Sequence, residues 1–379
     1  MFPPIKTGTS NHTKNLVRAF YNSNTDISLI TVKNKQANND TKLPYPVYRL
    51  KALHFNSKKY FKHLRVVSIF ISNYIKSYKI IKRKSPDRII IINHYLDLVF
   101  PIIISAKLLR IPIYISVGTQ LQSPNIYKNK ILNFLDKLIC GNLVFPFANK
   151  IVAWDNQIIK YLHEIHRSNK IRSKIIEIPF GAKDLYESNF EKKTNYALTY
   201  KIVGVGAILD VRDFIYIIKI FKKLVIEYPK LKLKIIGHEY TDKTRKYVES
   251  EGLSSKVNFL GEIEHKEVLK QLKEADIHCM MLSGKYVGIG TSNLESMLVG
   301  TPIVSNIPDN IFSSKRLLDM RDYIYTSGKD EEVLIKKFKT VLDNEAARKK
   351  IGEGGQRFVE ENLNWERVVE AYKTSFKND

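Results

Sequence analysis

Three observations predict an α/β protein with two doubly wound domains. Apolar runs of strand length alternate with longer amphipathic stretches, the pattern of parallel sheets flanked by helices. The alternation stops at a polar stretch, residues 185–199, and then restarts. The chain is 379 residues long, enough for two separate cores. In the first half, strands are expected at 27–32, 88–92, 112–116, 150–153 and 175–178. Helices are expected there at 12–21, 58–84, 101–109, 130–138 and 156–165. In the second half, strands are expected at 201–205, 232–236, 257–260, 277–281 and 302–305. Its helices are expected at 214–227, 243–251, 265–274, 293–298 and 331–342, with a last one at 365–376.

The opening departs from this pattern. A doubly wound domain begins with a strand that feeds a glycine-bearing loop and a helix. Here Phe2, Pro3 and Pro4 run at once into Gly8 and a helix, leaving no residues for that strand. Either the true start lies upstream of Met1, or the domain lacks a strand that is usually central. A broken or weakened first sheet is expected, because strands beside an empty position keep unpaired edges.

Composition narrows the class. Apolar residues make up 44% and aromatics 11%, which excludes a disordered polyelectrolyte. Cys140 and Cys279 form neither a disulfide framework nor a zinc pattern, which fits a reducing, cytoplasmic compartment. The most apolar stretch, 89–104, is broken by Asn93, His94 and Asp97 and is too short to span a bilayer, which needs ~20 residues. The first residues have no apolar core of a signal peptide.

Charge is unevenly placed. The net charge is +24, of which residues 1–200 carry +21 and residues 201–379 only +3. Residues 58–84 hold nine basic side chains and no acidic one, interleaved with Tyr60, Phe61, Phe70, Tyr74 and Tyr78. Such asymmetry points the first domain toward an anionic partner: anionic lipid, a diphosphate-linked lipid, or nucleic acid. The competing explanation is a lysine-rich coding bias. Ile69, Ile71, Ile75, Ile80 and Ile81 give the same segment an interfacial, amphipathic character that favours a membrane surface over nucleic acid. Lys58, Lys59, Lys62, Lys82, Arg83 and Lys84 are the candidate contacts.

Three segments carry candidate chemistry. In the first, residues 287–305, Gly288 and Gly290 let backbone approach a ligand closely. Thr291, Ser292 and Asn293 then open a helix, with Ser292 and Asn293 as possible caps, and its free amides form an anion site. Glu295, on the first turn, suits a ribose or sugar diol. A capped structural helix is the plain alternative. In the second, residues 203–214, Gly204 and Gly206 end a strand and Arg212 opens the next helix. Such a fixed cation reads as a diphosphate clamp or simply as an exposed arginine. The third is the opening loop, where Gly8 offers amides before a helix or only makes a turn. His94, at a strand end, faces a cleft or is structural. No nucleophile–His–Asp set, phosphate-cradling lysine loop or metal-ligand spacing is present.

These segments, in this order, resemble glycosyltransferase family 4, the group 1 retaining enzymes of the GT-B fold, in its bacterial surface-polysaccharide type. FPPIKTGTSNH resembles the family's opening loop, IPFGAKD the approach to the interdomain linker, and GAILDVRD the Gly-Arg…Lys-Gly signature. KLKIIGHE and VNFLGEIEHKEV resemble the strands flanking the base pocket, and NLNWERVVEAYKTSF the last helix, which in the family crosses back. Three positions depart: Val287 replaces the first glutamate of the family pair, Ala207 its arginine, and Gly118 its histidine.

The resemblance implies two Rossmann-like domains facing a cleft. Residues 1–190 would bind acceptor and 191–364 nucleotide-sugar, with 365–379 as the helix that crosses back. It implies a donor site of Gly8, Gly206, Arg212, Gly237, Gly261, Ile263, Gly288, Gly290, Thr291, Ser292, Asn293 and Glu295, with Arg212 catalytic; His94, from its place at a strand end, is the second catalytic candidate. It implies a UDP- or GDP-sugar co-substrate, no metal or other cofactor, a lipid-linked glycan acceptor, and a peripheral place on the inner membrane face. A nucleotide-sugar epimerase of the same fold, a nucleic-acid-binding protein and a non-catalytic homologue stay open as alternatives.

Overall fold

The computed structural model describes residues 8–33, 43–51, 62–93, 96–118, 131, 134, 136–166, 168–182, 192–209, 212–283, 286, 288–328 and 330–377. They form two compact units. Unit 1 joins residues 1–121 and 130–181 to the last helix, from Trp365. Unit 2 holds 182–364 with residues 122–129.

Unit 2 is a six-stranded, all-parallel sheet in the order β12-β11-β10-β7-β8-β9. Its strands are β7 (Lys201–Val205), β8 (Lys232–Ile236), β9 (Val257–Gly261), β10 (Ile277–Cys279), β11 (Ile303–Ser305) and β12 (Ile324–Tyr325). β7 and β10 are buried along nearly their whole length because helices cover both faces of a parallel sheet. On one face Phe214, Ile218 and Phe221 of the helix Phe214–Glu227 pack on Ile202, Ile235 and Ile277. On the other, Leu272 and Val299 pack on Val203 and Ile236. The helix starts are locally encoded: Asp213 accepts the Tyr216 N–H at 2.9 Å and Asn344 the Ala347 N–H at 3.0 Å.

Two elements of unit 2 escape sequence reading. β12 has only two residues. The helix Glu345–Asn362 carries Gly352, Gly354 and Gly355, which argue against a helix by propensity. Tertiary packing requires them. A Cβ on Gly352 would stand 2.2 Å from the Gly300 carbonyl oxygen, and one on Gly354 would overlap the Arg321 carbonyl oxygen.

Residues 1–7, on which the expected loss of the opening strand falls, lie outside the described residues. Among the described residues unit 1 holds two separate parallel sheets. One is β3-β4-β5-β6, from β3 (Ile89–Ile92), β4 (Ile113–Val117), β5 (Lys150–Ala153) and β6 (Ile175–Glu177). The other pairs β1 (Leu29–Val32) with β2 (Val47–Leu50), a strand absent from the sequence reading. Helices α1 (Gly8–Asn22), α2 (Lys62–Lys84) and α3 (Leu96–Leu108) flank them, and the expected helix at 130–138 lies largely outside the described residues. The last helix, Trp365–Lys377, packs on α1 within the unit. Tyr372 lies 5.8 Å from Phe20, and the Tyr114 hydroxyl donates to the Ser375 carbonyl at 2.9 Å.

Two buried histidines make the fold acid-sensitive. His12 sits among Trp154 (4.0 Å), Phe180 (4.9 Å) and Trp365 (5.3 Å), and burial pushes its pKa down to about 3. His278, in the central strand β10, is pushed by burial down to about 4. Both stay neutral in the fold but charge in the unfolded chain near 6.5. Their contribution is present above that pH and is lost as the pH falls toward 4 and then 3. Asp155, raised by burial to about 6, works in the opposite direction over a smaller range. Calorimetry should show the melting temperature falling from pH 6.5 to 4, and His12→Phe should flatten that fall.

Candidate functional site

The sheet of unit 2 gathers its unusual residues at the carboxyl ends of its strands, where doubly wound sheets bind ligands. Gly206, Gly237 and Gly261 end β7, β8 and β9 in turn. The Gly237 N–H donates to the Gly261 carbonyl at 2.9 Å. Gly237 has φ +146°, and a Cβ there would stand 2.1 Å from the Gly206 carbonyl oxygen. Only glycine permits this approach of two strand ends. Ile263, just past Gly261, is half-buried against the core beneath.

Arg212 lies across this edge. Its guanidinium rests on Gly206, 2.7 Å from where a Cβ would stand, and Nη1 donates to the Ala207 carbonyl at 3.0 Å. Its Nε is buried without a partner, and burial lowers the guanidinium pKa. An arginine stays charged under such a shift, so this is a desolvated, fixed cation with donors to spare. Its backbone bridges to Leu282 beyond β10, which ties it to the next segment.

That segment leads to Gly290, which has φ +71° and lies where a Cβ would meet the Met280 side chain at 2.4 Å. Gly290 is the N-cap of the helix Thr291–Val299 and, being glycine, has no side chain to cap it. Ser292 and Asn293, expected as caps, therefore need correcting. The Ser292 hydroxyl turns in toward the Met280 sulfur (3.1 Å). The Asn293 amide donates inward to Ile289 (2.8 Å) and to Ser305 Oγ (3.2 Å). The helix begins two residues earlier than expected, so those side chains point into the core and its first amides stay uncapped at the sheet edge. Such a terminus attracts anions. Glu295 also moves, from the expected first turn to the second, since no acidic residue lies in the first.

Glu295 is nearly buried and approaches His265 Nε2 at 3.4 Å. His265 opens the helix that follows β9, and the sequence reading passed over it. Its only signal is its place four residues after Gly261, level with the other strand ends.

The remaining candidates lie elsewhere. Gly8 is the first residue of α1 in unit 1. His94 and Val287 lie outside the described residues, as do Lys58 and Lys59; Gly288 precedes the buried Ile289. Lys62, Lys82, Arg83 and Lys84 belong to α2, with Lys82 and Arg83 exposed. Arg83 is partly engaged, donating to the Tyr48 hydroxyl at 3.2 Å. The apolar face of α2 is narrower than expected. Ile71 (50%) and Ile75 (46%) are exposed, but Ile81 (3%) is core, because the last turns of α2 pack inward beside β1 and β3. Among the described residues no three His, Cys, Asp or Glu cluster as metal ligands do, and no helix is long and apolar enough to cross a membrane.

Gly118, which stands where the resemblance places a histidine, has a steric cause. A Cβ there would fall 2.0 Å from the Trp154 ring, which is pinned by its Nε1–H to Ser116 Oγ (2.7 Å) and lies against the His12 ring at 4.0 Å. Gly118→Ala should therefore destabilise the chain by roughly 1–3 kcal/mol, read by denaturant unfolding.

Comparison with known proteins agrees with this geometry. Residues 186–358 match the family Glycosyl transferases group 1. An uncharacterised glycosyltransferase of Methanocaldococcus jannaschii is 25% identical over 257 residues, covering 66% of this chain and 64% of that protein. A GDP-mannose-dependent monoacylated α-(1-6)-phosphatidylinositol monomannoside mannosyltransferase of Corynebacterium glutamicum is 24% identical over 159 residues, covering 40% of each. The chain thus matches less than two thirds of the length of either relative. The fold is that of Anabaena HepE, solved with UDP and glucose: TM-score 0.72 at 12% identity, over 100% of this chain and 98% of that one. The chain thus resembles the group 1 glycosyltransferases across most of unit 2 and shares the fold of Anabaena HepE over its whole length.

Proposed function

We propose that this protein is a retaining glycosyltransferase that moves a sugar from a UDP- or GDP-sugar to a lipid-linked glycan, in building a surface polysaccharide such as O-antigen or capsule. One observation carries the reading: a desolvated arginine and an uncapped helix start share the carboxyl edge of one parallel sheet. That edge suits a diphosphate.

In the reaction, the bond between the anomeric carbon and the terminal phosphate oxygen breaks. The acceptor hydroxyl oxygen bonds to that carbon on the same face, and its proton passes to the departing phosphate. Negative charge builds on that phosphate. Arg212 and the amides of residues 291–293 stabilise it with little reorganisation, because both are already held in place. Glu295, beside His265, takes the ribose diol of the donor. Gly206, Gly237 and Gly261 leave room for nucleotide against the strand ends.

Support for the acceptor side comes from charge. Unit 1 carries most of the excess, and a relative is named as acting on a phosphatidylinositol mannoside. A soluble protein peripheral to the inner membrane face would meet such an acceptor there.

Two measurements test the reading. Incubation with donor and membrane extract should give a product whose anomeric configuration, read by NMR, matches the donor's. Glu295→Ala should cut transfer at least about tenfold, mostly through donor affinity, with melting temperature little changed. Donor consumption without any acceptor would point to an epimerase instead.

A further inference from the structure

Part of the charge of unit 1 is gathered at one edge. Crossover helices run back against parallel strands, so helix ends collect where the strands begin. At that amino edge of the β3-β4-β5-β6 sheet, Lys82 and Lys84 close α2 before β3, Lys107 and Arg110 precede β4, and Lys170 and Lys174 precede β6. Three acids stand at comparable positions: Asp26 before β1, Asp87 before β3, and Glu164 in the helix Asn156–Ile165.

Some of this charge is structural. A helix end carries about half a negative charge, which one nearby cation offsets. Arg88 donates to the Phe376 carbonyl at 2.9 Å, Arg172 to that of His163 at 2.6 Å, and Lys174 to those of Pro146 and Ala148 at 2.8 and 2.7 Å. Lys82, Lys107, Arg110 and Lys170 stand exposed beyond them. The cations also crowd one another: Lys107 and Lys170 add to the burial that pushes the Lys174 pKa down. Such crowding opposes folding, and an anionic surface laid on the edge relieves it.

Apolar side chains share the edge. Leu108 (61% exposed) follows Lys107, and Phe147 (42%) lies between the two carbonyls that Lys174 holds. Cations around exposed apolar tips match the headgroup and acyl layers of a bilayer, whereas a nucleic-acid backbone is met by cations alone.

We propose that the amino edge of the β3-β4-β5-β6 sheet is a docking face for an anionic bilayer. Lys82, Lys107, Arg110 and Lys170 meet lipid phosphates there, and Leu108 and Phe147 enter below them. The inference rests on the proposed membrane setting of this chain and names the face that is turned to the lipid. α2 spans 23 residues, about 34 Å, so its start lies too far away to belong to this edge. The contact therefore centres on the end of α2, with the segments before β4 and β6 beside it.

The test is co-sedimentation of the full chain with vesicles of phosphatidylcholine and phosphatidylglycerol, over a salt series. The triple variant Lys107→Glu, Arg110→Glu, Lys170→Glu should bind at least about tenfold less. Its melting temperature should change little, because all three side chains are exposed. The triple variant Lys58→Glu, Lys59→Glu, Lys62→Glu should bind within about twofold of the parent, since the start of α2 lies several Debye lengths from the edge. Leu108→Ser with Phe147→Ser should remove most of the binding that survives at high salt, because apolar insertion is not screened. Full binding by the first variant, with loss in the second, would overturn the docking face while the membrane setting stands. Absence of vesicle binding by the parent would overturn both. A DNA gel shift lost in the first variant, with its vesicle binding unchanged, would also overturn the proposal and assign the edge to nucleic acid.

Discussion

Arg212→Ala should lower sugar transfer at least about tenfold, roughly 1.4 kcal/mol of transition-state stabilisation, while the melting temperature stays within a few degrees. The size follows from how the side chain is held. Its guanidinium lies against the bare α-carbon of Gly206, is oriented by the Ala207 carbonyl and keeps a buried donor unsatisfied. Its Nε is already shielded from water, so it meets a phosphate with little rearrangement. Arg212→Lys should recover only part of the loss, since a point charge cannot repeat the planar fork. Both substitutions are gentle to the fold, because the side chain contributes one hydrogen bond to a loop carbonyl. The check is steady-state transfer with each nucleotide-sugar; near-normal turnover in the alanine variant removes Arg212 from the site.

Neutralising Lys58, Lys59, Lys62, Lys82, Arg83 and Lys84 together should abolish binding to anionic vesicles and leave nucleotide affinity unchanged. Each basic group near such a surface contributes on the order of 1 kcal/mol, and the effect falls with salt. Residues 1–200 carry +21 against +3 in the rest, so the positive field lies on the first half of the chain. Ile71 and Ile75 add a small exposed apolar contact. Co-sedimentation over a salt series measures this. Equal binding by the variant and the parent would assign the charge to another role, and a matching DNA gel shift would show whether that role is nucleic acid.

Most of unit 2 was legible because periodicity and packing agree there. The strands at 201–205 and 232–236 and the helices at 214–227 and 265–274 match the expected limits. Gly206 and Arg212 were visible from the residues themselves, whereas Gly237 and Gly261 were indicated by the family resemblance. What was not legible depends on distant contacts. β2 is four residues between prolines and lysines, and it exists because β1 pairs with it. The glycine-bearing helix 345–362 is set by carbonyls of Gly300 and Arg321 that approach it. Ser292 and Asn293 have the composition of caps, yet Met280 and Ser305 draw them inward. His265 is marked only by its place four residues after Gly261, and the fold brings it to Glu295. Gly118 showed as a departure in the sequence, and the Trp154 ring supplies its reason.

The central claim is that the carboxyl edge of unit 2 binds a nucleoside diphosphate through Arg212, the start of the helix at Thr291, and Glu295. Titration of the purified chain with UDP, GDP and their sugar conjugates, followed by calorimetry, tests it most directly. Saturable one-to-one binding of one nucleotide series, weakened at least about tenfold by Arg212→Ala, is the expected result. Absence of binding across the series, or equal affinity in the variant, would contradict it.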